Sequence, residues 1–330
     1  MYLKRLIIVI LITGSVAYLA GNIFDHIYKK RWSTLFFEKT DALIRSKTNY
    51  DIIFLGNSKV HFGINPYYVD SVTKLNSYNF GYGGSDMQDI MLTSNIYLQN
   101  HRAPKLVILS LDKGGFTKNE TLKTRFHYLF YLDNDTISKH MNHAGFLTSL
   151  IKSLPFTKYS FFDEYNRTSL FLKGKQYPVF DHNICKGFFN IHRYMNRAYG
   201  DVYNNTTGAD SLWEPAIAYF RNTVAALQQK GSIVVFVSPP EKSSSRNSTT
   251  AFKKTADSIF TVVANEYHLK YLRFEKEALY TDNYFVDEIH LNEPGTRIYS
   301  IQLADSIKSI LHQHHNNLTG INDFEVPGSQ

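Results

Sequence analysis

Asp51-Ile-Ile-Phe-Leu-Gly56-Asn57-Ser58 is the stretch on which the fold turns. An unbroken apolar run closed by glycine is the pattern of a strand buried on both faces, as in a parallel sheet. Similar runs follow. Ser77-Tyr-Asn-Phe80 is halted by Gly81, Gly83 and Gly84. Lys105 to Leu111 (Lys-Leu-Val-Ile-Leu-Ser-Leu) is the clearest, and Ser232 to Ser238 (Ser-Ile-Val-Val-Phe-Val-Ser) stops at Pro239-Pro240. A weaker fifth lies near Lys270–Phe274. Between them sit helix-like stretches: Asp86–Gln99 with Ser85 as N-cap, Leu212–Gln229 and Ala251–Glu266. Pro294 opens a last helix, in which Ile298, Ile301, Ala304, Ile307 and Leu311 recur at three- and four-residue spacing. Strands alternating with helices require a parallel sheet covered on both faces, an α/β chain built as a three-layer α/β/α sandwich.

This rhythm breaks from Lys113 to about Asp210, where Phe, Tyr, His and Asn dominate. The stretch after the third strand is too long for a bare loop and reads as an inserted helical or irregular subdomain. Past the last helix, residues 313–330 turn polar, with Gly320, Pro327 and Gly328, and read as a disordered tail. A length of 330 residues suits two ordinary domains or one large α/β domain with an insertion. Hydrophobic usage of 43% with 20% charged residues excludes general disorder and a coiled coil. The formal charge of +7 is mild and its Lys and Arg are scattered, so no nucleic-acid partner is expected. One cysteine, Cys185, leaves no internal disulfide and no Cys-based zinc site. The thirteen histidines show no His-Glu-X-X-His pattern, so neither a metal nor a cofactor is expected.

Residues 1–31 have a different character. Lys4 and Arg5 precede an apolar run that reaches Phe24, and Lys29-Lys30-Arg31 closes it. The 19 residues from Leu6 to Phe24 are enough to cross a bilayer as a helix. An uncleaved single-pass signal anchor is expected, with the domain at 32–312 exported. The competing reading is a cleaved signal peptide with Ser15-Val16-Ala17 at the cleavage site.

Three motifs carry chemistry. Ser58 follows the first strand, at the end of a parallel sheet where ligands gather. A serine hydroxyl needs a base within hydrogen-bond reach to act as a nucleophile. His290, in Asp287-Glu-Ile-His290-Leu-Asn, suits that task, and Asp287 could hold the other ring N–H. The same two residues could instead cap the final helix. The third motif, Asn79-Phe-Gly-Tyr-Gly-Gly84-Ser85, is a Gly-rich turn that lets a backbone N–H approach a substrate oxygen. His61, close behind Ser58, reads as a helix-surface residue.

In their order and setting these pieces resemble the SGNH/GDSL hydrolase superfamily, over roughly 50–112 and 230–312 but not over the insertion. The resemblance is carried by Gly56-Asn57-Ser58, by Asn79 to Gly84, and by Asp287-Glu-Ile-His290-Leu-Asn-Glu-Pro-Gly295. It implies a flavodoxin-like sheet and ester chemistry through a Ser–His–Asp triad. Ser58 would be the nucleophile and its N–H an oxyanion donor. Gly84 would give a second N–H, His290 would be the general base, and Asp287 would orient it. Two departures stand out. The first block has Asn57 where the family usually has Asp. The Gly-X-Asn-Asp turn after the third strand, whose Asn is a third oxyanion donor, is replaced by Leu109-Ser-Leu-Asp112-Lys-Gly-Gly115; a missing donor typically costs about a hundred- to thousand-fold in rate.

Membrane-tethered relatives that resemble this chain more closely include the alginate-acetylation proteins and the accessory protein of teichoic-acid D-alanylation. The resemblance thus implies a membrane-anchored serine esterase or O-acyltransferase working on acyl groups, acetyl in the first place, of a cell-envelope glycan. Its partners would be the acylated glycan and an integral membrane acyltransferase. The alternative is a non-catalytic accessory protein that uses the same groove to bind either one.

Overall fold

The computed structural model describes residues 2–32, 37–110, 112–117, 122–141, 154, 156–157, 184–189, 212–242 and 251–319. Its strands are β1 (Ile52–Leu55), β2 (Ser77–Asn79), β3 (Leu106–Ser110), β4 (Ile184–Cys185), β5 (Phe188–Phe189), β6 (Ile233–Ser238) and β7 (Lys270–Arg273). Its α-helices are α1 (Tyr2–Trp32), α2 (Glu38–Ile44), α3 (Ser58–Gly63), α4 (Pro66–Thr73), α5 (Met87–Asn100), α6 (Asp135–His140), α7 (Glu214–Gln229), α8 (Ala251–Glu266) and α9 (Glu293–Thr319).

Five strands form one parallel sheet in the order β2-β1-β3-β6-β7. Successive side chains of a strand point to opposite faces, and both faces are covered. Ile53, Leu55, Val107, Leu109, Val234 and Phe236 pack with residues of α2, α5, α7 and α8. Ile52, Phe54, Leu106, Ile108, Val235 and Val237 pack with α3, α4 and α9. This is a three-layer α/β/α sandwich, and double-sided burial explains why its central strands read as apolar runs rather than alternating ones. The chain reverses its direction of winding between β1 and β3, so the crevice for a ligand opens beyond the C-terminal ends of those two strands.

Two of the expected boundaries fall elsewhere in the structure. The N-cap of α5 is Asp86, not Ser85: its carboxylate accepts from the N–H groups of Gln88 and Asp89 at 3.0 and 3.2 Å, while Asp89 accepts from the Asp86 N–H at 3.0 Å. Ser85 instead donates its hydroxyl to the Gly56 carbonyl at 2.8 Å. The last helix continues through Thr319, so 313–319 is helix and not tail; residues 320–330 lie outside the described residues. Of the insertion, the structure describes 3-10 turns at Lys113–Phe116 and Arg125–Tyr128, helix α6, and the β4–β5 hairpin. The hairpin docks on the sheet edge, where the Asn79 N–H donates to the Lys186 carbonyl at 2.9 Å.

Helix α1 has 31 residues, about 46 Å at 1.5 Å per residue. Its large apolar side chains from Leu3 to Ile23 are exposed and it is long and apolar enough to cross a membrane. Its last turns, however, belong to the domain. Tyr28 is fully buried against Phe126 and Phe130, Phe24 packs on Phe156, and Lys29 pairs with Asp41 at 2.9 Å.

Gly56 is the residue the β1 turn cannot change. A Cβ there would lie 2.5 Å from Val60 Cγ2 and 2.9 Å from Ser110 Cβ, both in the packed interior. Gly56→Ala is therefore expected to destabilise the domain by about 1–3 kcal/mol, the usual range for overpacking. Thermal melting of the full chain measures it, and an unchanged midpoint would contradict this reading of the turn.

Candidate active site

After Gly56, Asn57 caps α3 by accepting the Lys59 N–H on its side-chain oxygen at 3.0 Å. This fixes Ser58 as the first helical residue, 7% exposed. The partner loop is built far along the chain. Phe285 and Leu291 form an antiparallel bridge, the Val286 N–H donates to the His290 carbonyl at 2.9 Å, and residues 286–290 close into a tight loop. Asp287 braces that loop by accepting the N–H groups of Ile289 and His290 on Oδ1 at 2.9 and 2.8 Å. Its Oδ2 faces His290 Nδ1 at 2.7 Å. His290 Nε2 then lies 2.9 Å from Ser58 Oγ.

The hydrogen-bond pattern fixes the tautomer. With Nδ1–H donating to Asp287, the lone pair of Nε2 faces the serine hydroxyl and can accept its proton. Burial by itself would raise the Asp287 pKa. The bonds from the His290 ring and the two backbone N–H groups outweigh burial and hold the carboxyl below its ordinary value. Phe62 meets the imidazole edge-on at 5.5 Å between ring centroids. The final helix is capped by neither Asp287 nor His290 but by Asn292, which accepts the Gly295 N–H at 3.0 Å.

The Gly81–Ser85 loop lies against the same turn. Tyr82 N–H donates to the Gly56 carbonyl at 3.1 Å, and the Ser85 N–H to the Tyr82 carbonyl at 3.2 Å. Gly84 has φ +79°, a conformation that favours glycine. Gly83 and Gly84 are exposed, and among the described residues their N–H groups donate to nothing.

Where a third oxyanion donor would be expected, beyond β3, stands Asp112. It is tied into a charged cluster that short-range pattern reading missed. Asn57 Nδ2 donates to Asp112 Oδ2 at 2.7 Å, and Lys59 Nζ lies 2.7 Å from Glu241 and 3.7 Å from Asp112. Burial disfavours the charge on Lys59, but Asp112 and Glu241 outweigh it and raise its pKa. The same pairing holds both carboxyls below their ordinary values against the opposing effect of burial. His61 is not a plain surface residue: its ring stacks on Phe62 at 4.5 Å and lies 5.7 Å from Phe189 of the hairpin. Among the described residues no group of three or more His, Cys, Asp or Glu side chains could hold a metal.

No family model matches the chain, and no curated protein matches it by sequence. Several solved structures are similar to it at low identity. A lipase/acylhydrolase from Enterococcus faecalis is 12% identical, with 78% of this chain and 95% of that one covered and a TM-score of 0.42. The acetyl xylan esterase AlAXEase is 12% identical, with 79% and 98% covered and a TM-score of 0.41. A family two carbohydrate esterase from Clostridium thermocellum is 9% identical, with 82% and 67% covered and a TM-score of 0.40. Likeness at this level leaves the chemistry of the chain to be read from its own residues.

Proposed function

We propose that the protein is a membrane-anchored serine esterase or O-acyltransferase that acts on acyl groups, acetyl in the first place, of a cell-envelope glycan, as the resemblance to SGNH hydrolases implies. The observation that carries the reading is the continuous chain of bonds from Ser58 Oγ through the His290 ring to Asp287, at 2.9 and 2.7 Å. Ser58 Oγ attacks the acyl carbonyl while its proton passes to His290 Nε2. The Asp287 carboxylate stabilises the imidazolium that forms. The N–H groups of Ser58 and Gly84 bind the oxyanion. Collapse expels the alcohol, which takes the proton from His290 and leaves an acyl-Ser58. Water attacking that ester gives an esterase; a glycan hydroxyl gives a transferase. The apolar, exposed helix α1 supports the anchor.

The test is release of acetate from an acetylated glycan, with and without an acceptor glycan, together with fluorophosphonate labelling of Ser58. Acetate release without acceptor marks an esterase, and transfer that needs acceptor marks a transferase. Asp112, standing where a donor is expected, favours the second reading of a non-catalytic binding protein. That reading predicts glycan binding with neither ester turnover nor labelling.

A further inference from the structure

Lys39 is the second residue of α2 and is only 7% exposed. No carboxylate pairs with it among the described residues. Burial drives its pKa well below the ordinary lysine value, and the adjacent Glu38 pulls only partly the other way. A buried amine without a counter-ion is costly, and methionine would fill the same space without that cost. What the amine does there is donate to the Gly81 carbonyl, while lying 5.0 Å from the centre of the Tyr82 ring. The next residue, Thr40, is fully buried and its hydroxyl lies 3.2 Å from Tyr82 Oη. Two consecutive residues of α2 therefore grip the Gly-rich loop from behind.

The grip decides where that loop's free donors point. A trans peptide carries its C=O and N–H on opposite sides, so holding one aims the other. The Gly81–Tyr82 peptide is held at both ends, by Lys39 on the carbonyl and by Gly56 O on the N–H. The Tyr82 carbonyl accepts from both the N–H and the hydroxyl of Ser85, at 3.2 and 3.0 Å, which turns the Gly83 N–H the other way. Gly81 N–H is taken by Asn79 Oδ1 at 2.9 Å. Of the N–H groups from Gly81 to Ser85, only those of Gly83 and Gly84 remain free. We infer that Lys39, braced by Thr40, is a positioning residue that fixes the Gly81 carbonyl and so holds the loop that presents the Gly84 N–H to the reacting oxygen. This rests on the acyl-transfer reading and adds to it a residue from the helix that follows the apolar segment.

The experiment compares the full chain with Lys39→Met and Thr40→Val. It reads the rate of fluorophosphonate labelling at Ser58, kcat and KM for an acetyl ester, the melting temperature, and hydrogen exchange at the Tyr82 and Ser85 amides. Lys39→Met is expected to slow labelling and kcat by about 10- to 100-fold, within the range of a disturbed oxyanion site. KM should stay within about twofold, both amides should exchange faster, and the melting temperature should be unchanged or higher, since a buried unpaired amine is gone. Thr40→Val should loosen the same amides and slow labelling several-fold, and it keeps the test valid if Lys39→Met does not fold. Labelling at the wild-type rate in both variants, or amides as protected as before, would overturn the inference. A wild-type chain that never labels would instead sink the acyl-transfer reading, and the two amides would then decide the clamp alone.

Discussion

Ser58→Ala and His290→Ala are each expected to lower acyl turnover by roughly ten-thousand- to a million-fold, the range in which nucleophile and base of such a relay fall when removed singly. The double variant should be no worse than either single one, because the proposed mechanism joins the two groups in one proton transfer. Asp287→Asn should lose roughly a thousand- to ten-thousand-fold: the amide cannot stabilise the imidazolium and favours the wrong tautomer. Melting temperatures should hardly move for Ser58→Ala, which removes one hydroxyl oxygen. Acetate release and fluorophosphonate labelling measure these losses; turnover that survives in Ser58→Ala would end the mechanism.

The second large effect is on stability. Lys59→Met is expected to cost about 3–5 kcal/mol, because it leaves Asp112 and Glu241 in a half-buried site without their cation. The side chains concerned are 7%, 27% and 15% exposed for Lys59, Asp112 and Glu241, so solvent does little to replace the pairing. Adding Asp112→Asn and Glu241→Gln to Lys59→Met should recover most of the loss, which separates an unpaired-charge effect from a packing defect. The pH dependence has a definite sign. Both carboxyls have folded pKa values below their ordinary 3.8 and 4.5. Their contribution is therefore present above those values and is lost as pH falls through the lower folded ones. Wild-type melting should drop below about pH 4, while the gap to Lys59→Met narrows, since protonation relieves the unpaired carboxylates. Thermal melts across pH 3–7 would show it, and a constant gap would contradict the pairing.

The sandwich was legible because its central strands are buried on both faces. Leu106–Ser110 and Ile233–Ser238 present no polar side to water, and their sequences say so. The end of the chain is harder to bound: the polar composition from residue 313 onward reads as tail, yet the helix persists to Thr319. The N-cap of α5 reads one residue early in the sequence because Ser85 and Asp86 are both good caps, and the residue closing the box is Asp89 rather than the usual Glu or Gln. In the site, Asp287 and His290 announce themselves by a three-residue spacing. Lys59 and Glu241 are 182 positions apart, and a pairing at that separation leaves no local pattern. Lys39 is equally silent in the sequence, since one lysine beside a glutamate looks like any exposed turn of helix.

The burial of Tyr28 between Phe126 and Phe130 has a practical and a spatial consequence. A soluble fragment begun at residue 33 would open a hole lined by aromatic rings and lose the Lys29–Asp41 pair, so its behaviour would report a damaged scaffold. With Tyr28 and Lys29 packed on the body, the end of the rod is held there by side-chain contacts as well as by the chain. If the rod is embedded in lipid, Ser58 stands at one fixed height above the surface, and whatever it acts on must reach it there.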